Sequence, residues 1–219
     1  MRALIIGAGA QGRVTLDILR AQARHDRIDF IDEDERLWGS QVNGSQVIGN
    51  LQEALGQSVS GVEVIVALGH PRARLAVAER VRERHIPFLN AVHPSAVVMP
   101  SVKMGSGNMI GATAVVNTDS QVGDHTIINT GAVIEHDCLV AHGATIGPGA
   151  HLGARSSMGT GAFLGTGAIV LSRVAIGEEA VLAAGAVLTH DLPQRVLAMG
   201  VPARIREQID EGFDWGRLL

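Results

Sequence analysis

The stretch that decides the fold runs from residue 128 to 152 and reads INTGAVIEHDCLVAHGATIGPGAHL. Ile128, Ile134, Val140, Ile146 and Leu152 stand six residues apart, and small side chains (Ala132, Cys138, Ala144, Ala150) stand two positions before the last four. Upstream the same phase holds Val98, Met104, Ile110, Val116 and Val122. Downstream it holds Met158, Leu164, Val170, Ile176, Leu182 and Leu188, with no slip in register. Glycine often follows the aliphatic residue, as at Gly105, Gly111, Gly123, Gly153 and Gly165.

An amphipathic helix repeats every 3.6 residues and an exposed strand every two. A period of six requires a short strand, a tight turn and another short strand. Three such sides close one triangular coil with the aliphatic side chains inside, and each strand pairs with its counterpart one coil on. Stacking covers every strand edge except the terminal ones. The expected fold is a left-handed parallel β-helix of hexapeptide repeats, with roughly five coils over residues 96–190. Composition agrees: 27 glycines, no tyrosine and 3% aromatic residues suit a narrow aliphatic core.

Ahead of the repeat the pattern changes. Arg2–Ile6, Arg27–Ile31, Val62–Leu68 and Pro87–Asn90 read as strands, and Val14–Ala23 and Arg72–His85 as helices. Alternation of this kind implies a parallel α/β sheet. Residues 1–92 are read as a half-Rossmann domain, 93–204 as the β-helix and 205–219 as a short C-terminal helix and tail, with the helix over Ile205–Glu211. Gly7-Ala8-Gly9-Ala10-Gln11-Gly12 matches G-x-G-x-x-G between strand and helix, and Asp32 follows about twenty residues on. Such a loop brings backbone N–H groups close to phosphate at a helix N-terminus. About ninety residues make half a dinucleotide fold, which suits a single nucleotide, with Asp32 near its base or ribose. Gly69 would lie on the same edge. A tight turn without a ligand is the alternative that these residues leave open.

Charged residues make up 18% of the chain and the net charge is −4, with no basic run. Nucleic acid and anionic membrane therefore have no electrostatic support as partners. The apolar stretch Ala3–Ile6 is too short to span a bilayer, so no membrane insertion is expected. The single cysteine, Cys138, excludes an internal disulfide and suits the cytoplasm.

Five histidines (His125, His136, His142, His151 and His190) lie in the repeat, and by phase none points inward. His136 stands between Glu135 and Asp137. An imidazole with a carboxylate at hand to orient it suits a general base; a solvated corner histidine is the other reading. Zinc would draw on His125, His136, His142 and His151, but their spacings place no pair on one face a full coil apart, so no metal is expected.

A glycine-loop half-Rossmann domain joined to hexapeptide repeats, with Asn129-Thr130 and Glu135-His136-Asp137-Cys138, resembles the NeuD/PglD-type sugar acyltransferases. Ala183-Ala184-Gly185-Ala186-Val187 and Gly200-Val201-Pro202-Ala203-Arg204 resemble that group's closing signature. The resemblance implies N-acetylation, by acetyl-CoA, of the amino group of a UDP- or GDP-linked amino sugar. It implies a homotrimer with active sites between subunits. It makes His136 the general base and Asp137 its partner. It puts Gly7, Gly9, Gly12, Gln11, Asp32, Gly69 and Asn129 against the acceptor, and Ala154, Thr166, Ala184, Gly185 and Thr145 against coenzyme A. Two positions depart from the family pattern: Gln11 stands where the glycine loop often carries histidine, and Thr145 where many members carry a second histidine. O-acetylation of sialic acid or a related sugar, a scaffold without catalysis and a metal-dependent hydratase are the competing readings.

Overall fold

The computed structural model describes residues 1–56, 61–210 and 213–215. Strand β1 (Arg2–Ile6) is the centre of a parallel sheet, with β2 (Arg27–Ile31) on one side. An antiparallel hairpin, β3 (Gln41–Val42) and β4 (Ser45–Gln46), and a short helix α2 (Leu51–Gly56) fill the connection that follows β2. Strand β5 (Val62–Val66) then pairs on the other side of β1, giving the order β2-β1-β5. Phe30–Val47 and Val64–Phe88 bridges extend the sheet at each edge, so residues 87–90 contribute one bridge and not a full strand. Helix α1 (Ala10–Gln22) forms because Gly12, Thr15, Leu16 and Leu19 make one buried stripe. Helix α3 (Pro71–Arg82) starts on Pro71, whose fixed φ suits a first helical position, and buries Pro71, Arg74, Ala78 and Val81.

From Ala91 the chain winds into the left-handed β-helix. Three faces alternate. Face A carries the rungs Ala91–Val92, Met109–Ile110, Ile127–Ile128, Thr145–Ile146, Phe163–Leu164, Val181–Leu182 and Val196–Met199. Face B carries six rungs, from Val97–Val98 to Val187–Leu188, and face C five, from Lys103–Met104 to Ala175–Ile176. All these rungs pair in parallel, mostly eighteen residues apart, as in Val115↔Val133. The prism therefore has six coils, one more than the repeat suggested. The first coil begins earlier than expected: Val92 continues the aliphatic phase six residues before Val98, and Ala91–Val92 pairs with Met109–Ile110.

The second residue of almost every rung points inward and is buried, as are the small corner residues Ala114, Ala132, Cys138, Ala150 and Ala168. Each inward aliphatic contributes roughly 1.5–3 kcal/mol of burial, so the coils are stabilised in small equal steps. Face A differs, because its outward residues are buried too. Met109 and Ile127 join Ala3, Leu16, Leu19 and Phe30 in one core, which seats the front domain on this face. A buried Arg74 fastens the seat: its guanidinium donates to the carbonyls of Leu68, Gly69, His125 and Gly143 and to the Thr145 hydroxyl. Arg72 pairs with Glu179 nearby.

The C-terminal expectation is corrected. Arg204–Gln208 is a strand, antiparallel to the last face-A rung Val196–Met199, and not a helix. The last rung has a free edge that a returning strand can pair with, and the segment has no buried stripe for a helix to use. Trp215 then packs within the chain on Phe163, Val181, Leu197 and Ile209. Leu218 lies outside the described residues.

Candidate functional site

A sheet of order β2-β1-β5 has its switch point at β1, and ligands bind in the crevice outside the carboxyl ends of the strands there. A cavity of about 650 Å³ opens at that place. Gly7, Gly9, Ala10, Gln11 and Asp32 line one side, Ala67 to His70 a second, and Ile127, Asn129, Thr145, Pro148, Phe163 and Thr166 of the β-helix the third. Front domain and β-helix thus build one site between them, of the size that small-molecule ligands fill.

The glycine loop is shaped by contacts on its far side. Gly7 has φ +104°, and its N–H donates to the Ile31 carbonyl. Gly12 does not line the cavity. A Cβ there would sit 1.9 Å from the Gly7 carbonyl oxygen, so its missing side chain lets α1 touch the loop. Gly9 is the opposite case, since a Cβ would meet nothing within 4 Å and would point into open space. Gly9 caps α1 with no side-chain hydrogen bond, and the first turn holds no acid. The free N–H groups and positive dipole end of a thirteen-residue helix therefore face the cavity.

Asp32 lines the cavity, but both carboxylate oxygens already accept backbone N–H groups, from Ala8 at 2.7 Å and Asp34 at 2.9 Å. It holds the glycine loop against the end of β2 and retains lone pairs for a further donor. Gln11 reaches down to the Met109 sulfur, and Thr145 is 5% exposed and occupied by Arg74. Both shape the walls of the cavity. Asn129 accepts the N–H of Thr130. His70, which the sequence reading passes over, ends the Ala67–His70 wall; its Nδ1 accepts the N–H of Ala73 at 3.3 Å. A residue before a proline that opens a helix is the local signal for it.

His136 and Asp137 do not join this cavity. The chain passes from face A (Ile127–Ile128) through one corner, holding Asn129, to face B (Val133–Ile134), and then through the next corner to face C (Leu139–Val140). His136 stands on that second corner, across the prism from the face that the front domain covers. Its Nδ1 lies 2.8 Å from Asp137 Oδ2, and half of its side chain is exposed. Asp137 therefore holds the imidazole and leaves Nε2 open to solvent. The hydrogen bond from His136, helped by Arg155 at 3.6 Å, keeps the Asp137 carboxyl below the usual carboxylate range. The N–H of Arg155 also holds the carbonyl of His136 at 3.0 Å.

The remaining residues divide between the two corners. Ala154 is one coil above His136. Thr166, Ala184 and Gly185 are on the corner between faces A and B, above Asn129 and Thr130. Gly131, Gly149, Gly167 and Gly185 occupy successive left-handed turn positions there, with φ of 67°, 63°, 65° and 66°. They leave a track without side chains. Cys138 is buried, with its thiol 3.2 Å from the Gly153 carbonyl, and burial raises its pKa, so it packs and does not act as a nucleophile.

His125 qualifies the sequence reading. It points away from the prism interior, yet it is 1% exposed, because the front domain covers it. Its ring lies edge-on to Phe88 at 4.5 Å. His142 pairs with Asp124 on the same corner, while His136 and His151 stand elsewhere. Among the described residues no group of three or more histidine, cysteine, aspartate or glutamate side chains could hold a metal ion, and no helix is long and apolar enough to cross a membrane.

The PglD N-terminal domain family matches residues 2–81. Among solved structures, a variant of perosamine N-acetyltransferase from Caulobacter crescentus, in complex with CoA and GDP-perosamine, is 37% identical, with a TM-score of 0.89 over 95% of this chain and 98% of that one. The acetyltransferase domain of PglB from Neisseria gonorrhoeae, in complex with acetyl coenzyme A, is 33% identical, with a TM-score of 0.89 over 94% and 98%. WeeI from Acinetobacter baumannii, 22% identical with a TM-score of 0.87 over 94% and 100%, shares the fold. A search of curated proteins finds no match. With this identity over nearly the whole of both chains, and with a glycine-loop domain seated on a hexapeptide β-helix, the chain belongs to the NeuD/PglD-type family of sugar acyltransferases.

Proposed function

We propose that the chain is an acetyl-CoA-dependent N-acetyltransferase acting on the amino group of a nucleoside-diphosphate-linked amino sugar, with His136 as general base. The observation that carries this reading is the cavity between the uncapped N-terminus of α1 and the β-helix wall. A diphosphate suits the free N–H groups after Gly9, and Asn129 lies on the wall where the sugar emerges. The relatives whose complexes hold CoA with GDP-perosamine, or acetyl coenzyme A, point to the same pair of substrates.

The chemistry needs His136 beside that sugar, and within one chain it lies on the far corner. A second copy resolves this. The outward residues of face B are Val97, Val115, Val133, His151, Ile169 and Val187, a stripe that is aliphatic except at His151, with Val97 and Ile169 exposed. Joining face B of one copy to the flank of the next in a closed trimer buries the stripe and brings the His136 corner to a neighbour's cavity. Acetyl-CoA would lie between the two, along the glycine track on one side and past Ala154 on the other.

In this site the sugar amine attacks the thioester carbon while His136 Nε2 takes a proton from the attacking nitrogen. The C–S bond then breaks, an amide forms, and the thiolate of coenzyme A leaves and is protonated. Asp137 holds the Nδ1–H tautomer, which frees the Nε2 lone pair for the proton. The enzyme's main contribution is alignment of two bound substrates.

Coenzyme A release, followed with a thiol reagent, tests the reading across GDP- and UDP-linked 4-amino sugars and free sialic acid. Turnover of one nucleotide sugar, lost in His136→Ala, is the expected result. Turnover of sialic acid alone would replace the reading with O-acetylation, and release that persists in His136→Ala would remove His136 as base.

A further inference from the structure

The acceptor cavity holds one side chain whose arrangement no part of the scheme above uses. His70 ends the second wall of the cavity and is the N-cap of α3, a helix of twelve residues. Its Nδ1 accepts the N–H of Ala73. An imidazole nitrogen that accepts a hydrogen bond carries no proton, so the proton of the neutral ring is on Nε2. The Trp215 ring packs on the imidazole at 4.8 Å between centroids, and Trp215 is itself held by Phe163 and Phe213. The ring is therefore oriented from its backbone side and from one face, while Nε2 makes no hydrogen bond among the described residues.

We infer that His70 is an acceptor-binding residue, whose Nε2–H donates a hydrogen bond to an oxygen of the diphosphate–sugar portion of the substrate. The inference rests on the reading of this cavity as the acceptor site. Close to the glycine loop the other polar side chains are engaged: the Gln11 amide at Met109, the Thr145 hydroxyl under Arg74, and both Asp32 oxygens on backbone N–H groups; Asn129 and Thr166 stand on the opposite, β-helix wall. His70 is the fixed donor that remains beside the loop. Burial, with Arg72 adding to it, holds the His70 pKa below the ordinary histidine value, so near neutral pH the ring is uncharged and in one tautomer. A neutral, oriented donor discriminates by geometry and not by net charge, which suits a substrate carrying several oxygens of differing position. Trp215 is a positioning residue in this arrangement. Through it the C-terminal segment, packed on Phe163 at the floor of the same cavity, bears on acceptor binding.

Capping and donation are separable by substitution. Asparagine and serine are both good N-caps. Asparagine caps through its oxygen and still presents an N–H₂ donor, whereas serine spends its single hydroxyl oxygen on the cap and reaches less far. His70→Asn is expected to keep the KM for the nucleotide sugar within about threefold of wild type. His70→Ser is expected to raise it about tenfold or more, the factor that corresponds to losing one hydrogen bond of ~1.4 kcal/mol. The KM for acetyl-CoA and the melting temperature should stay unchanged in both. If Asn and Ser behave alike, or if the KM for acetyl-CoA rises with that for the sugar, His70 is only a cap and the inference fails. Calorimetry of the wild type with the free nucleoside diphosphate separates the two levels. No binding and no turnover by the wild type would overturn the acceptor-site reading itself, whereas binding by wild type with equal behaviour of the two variants overturns His70 alone.

Discussion

If the base and the acceptor cavity belong to one reaction, they must meet between chains, and two individually dead variants should rescue each other. His136→Ala removes the base. Gly9→Asp disables the loop without unfolding it, because a Cβ there meets nothing within 4 Å and aspartate is a favoured N-cap. Its carboxylate occupies the free N–H groups of α1 and repels a diphosphate. Consider a ring of three in which each site takes His136 from one copy and the loop from the next. Any ring containing both variants has one junction, and only one, where an intact His136 faces an intact loop. Mixed trimers should therefore show about one third of wild-type activity, whichever variant is in the majority. Were each site built within a single chain, every site would carry one lesion and the mixture would stay dead. Co-expression with two different affinity tags, sequential purification and native mass measurement isolate the mixed species for the coenzyme A release assay. Mixed trimers no more active than their parents would refute the placement of His136 across an interface.

Four further outcomes follow from the geometry. Gly12→Ala forces a Cβ to within 1.9 Å of the Gly7 carbonyl oxygen, so α1 must lift from the loop; about 1–3 kcal/mol of stability should be lost in urea titration, along with acceptor binding. Arg74→Met leaves four carbonyls and the Thr145 hydroxyl at the domain seat without their donor, and should cost about 3 kcal/mol or more by the same measurement; a near-neutral result would show that the seat does not depend on this residue. Asp137→Asn should lower kcat at least tenfold with both KM values little changed, since it disturbs the imidazole and neither substrate. Burial pushes the His125 pKa from 6.5 to about 4, against Asp124 and with Arg82, Arg74 and His142 adding to the shift. The unfolded chain takes up that proton below about pH 6.5 and the folded chain only near pH 4, so this contribution is complete above the window and lost as pH falls through it. His125→Asn, a residue that tolerates the φ of +56° there, should flatten the acid loss measured between these two pH values, and parallel slopes would refute the assignment.

The β-helix was legible because each inward residue depends only on its own coil. Ile134 or Leu164 is buried whatever docks outside, so a phase of six suffices to place it. Residues whose fate depends on a partner element were less legible. His125 has an outward phase and is nonetheless buried, because phase gives direction relative to the prism and is silent about α3 and Phe88 lying over that corner. Thr145 resembles a site residue in sequence and is held by Arg74, seventy-one positions earlier. The front strands Arg2–Ile6 and Arg27–Ile31 fall where the sequence puts them; a buried apolar run before a glycine loop has few alternatives for the first, and the second pairs with it residue by residue. The Asn43–Gly44 pair between β3 and β4, with φ of 47° and 77°, carries the signature of a type I′ hairpin. That signal lies in two residues and is invisible to any search for a period.

A finer period would have separated the two working corners. Reading every eighteenth residue, the left-handed turn position between faces A and B is Thr113, Gly131, Gly149, Gly167 and Gly185, whereas between faces B and C it is Asp119, Asp137, Arg155 and Arg173. The backbone is the same at both, with φ near +60° throughout, so local conformation does not decide the difference. Glycine is the residue of least strain there, and Cβ-bearing residues carry a steric cost at that φ. The charged corner accepts this cost four times and obtains a column of side chains, among them the partner of His136. The other corner accepts it once, at Thr113, and from Gly131 upward holds glycine at this position, which leaves that column beside Asn129 without side chains. One corner is thus built to present groups and the other to let a molecule lie close. A reaction needing both requires the two corners to face each other, which six coils of one rigid prism cannot arrange within a single chain.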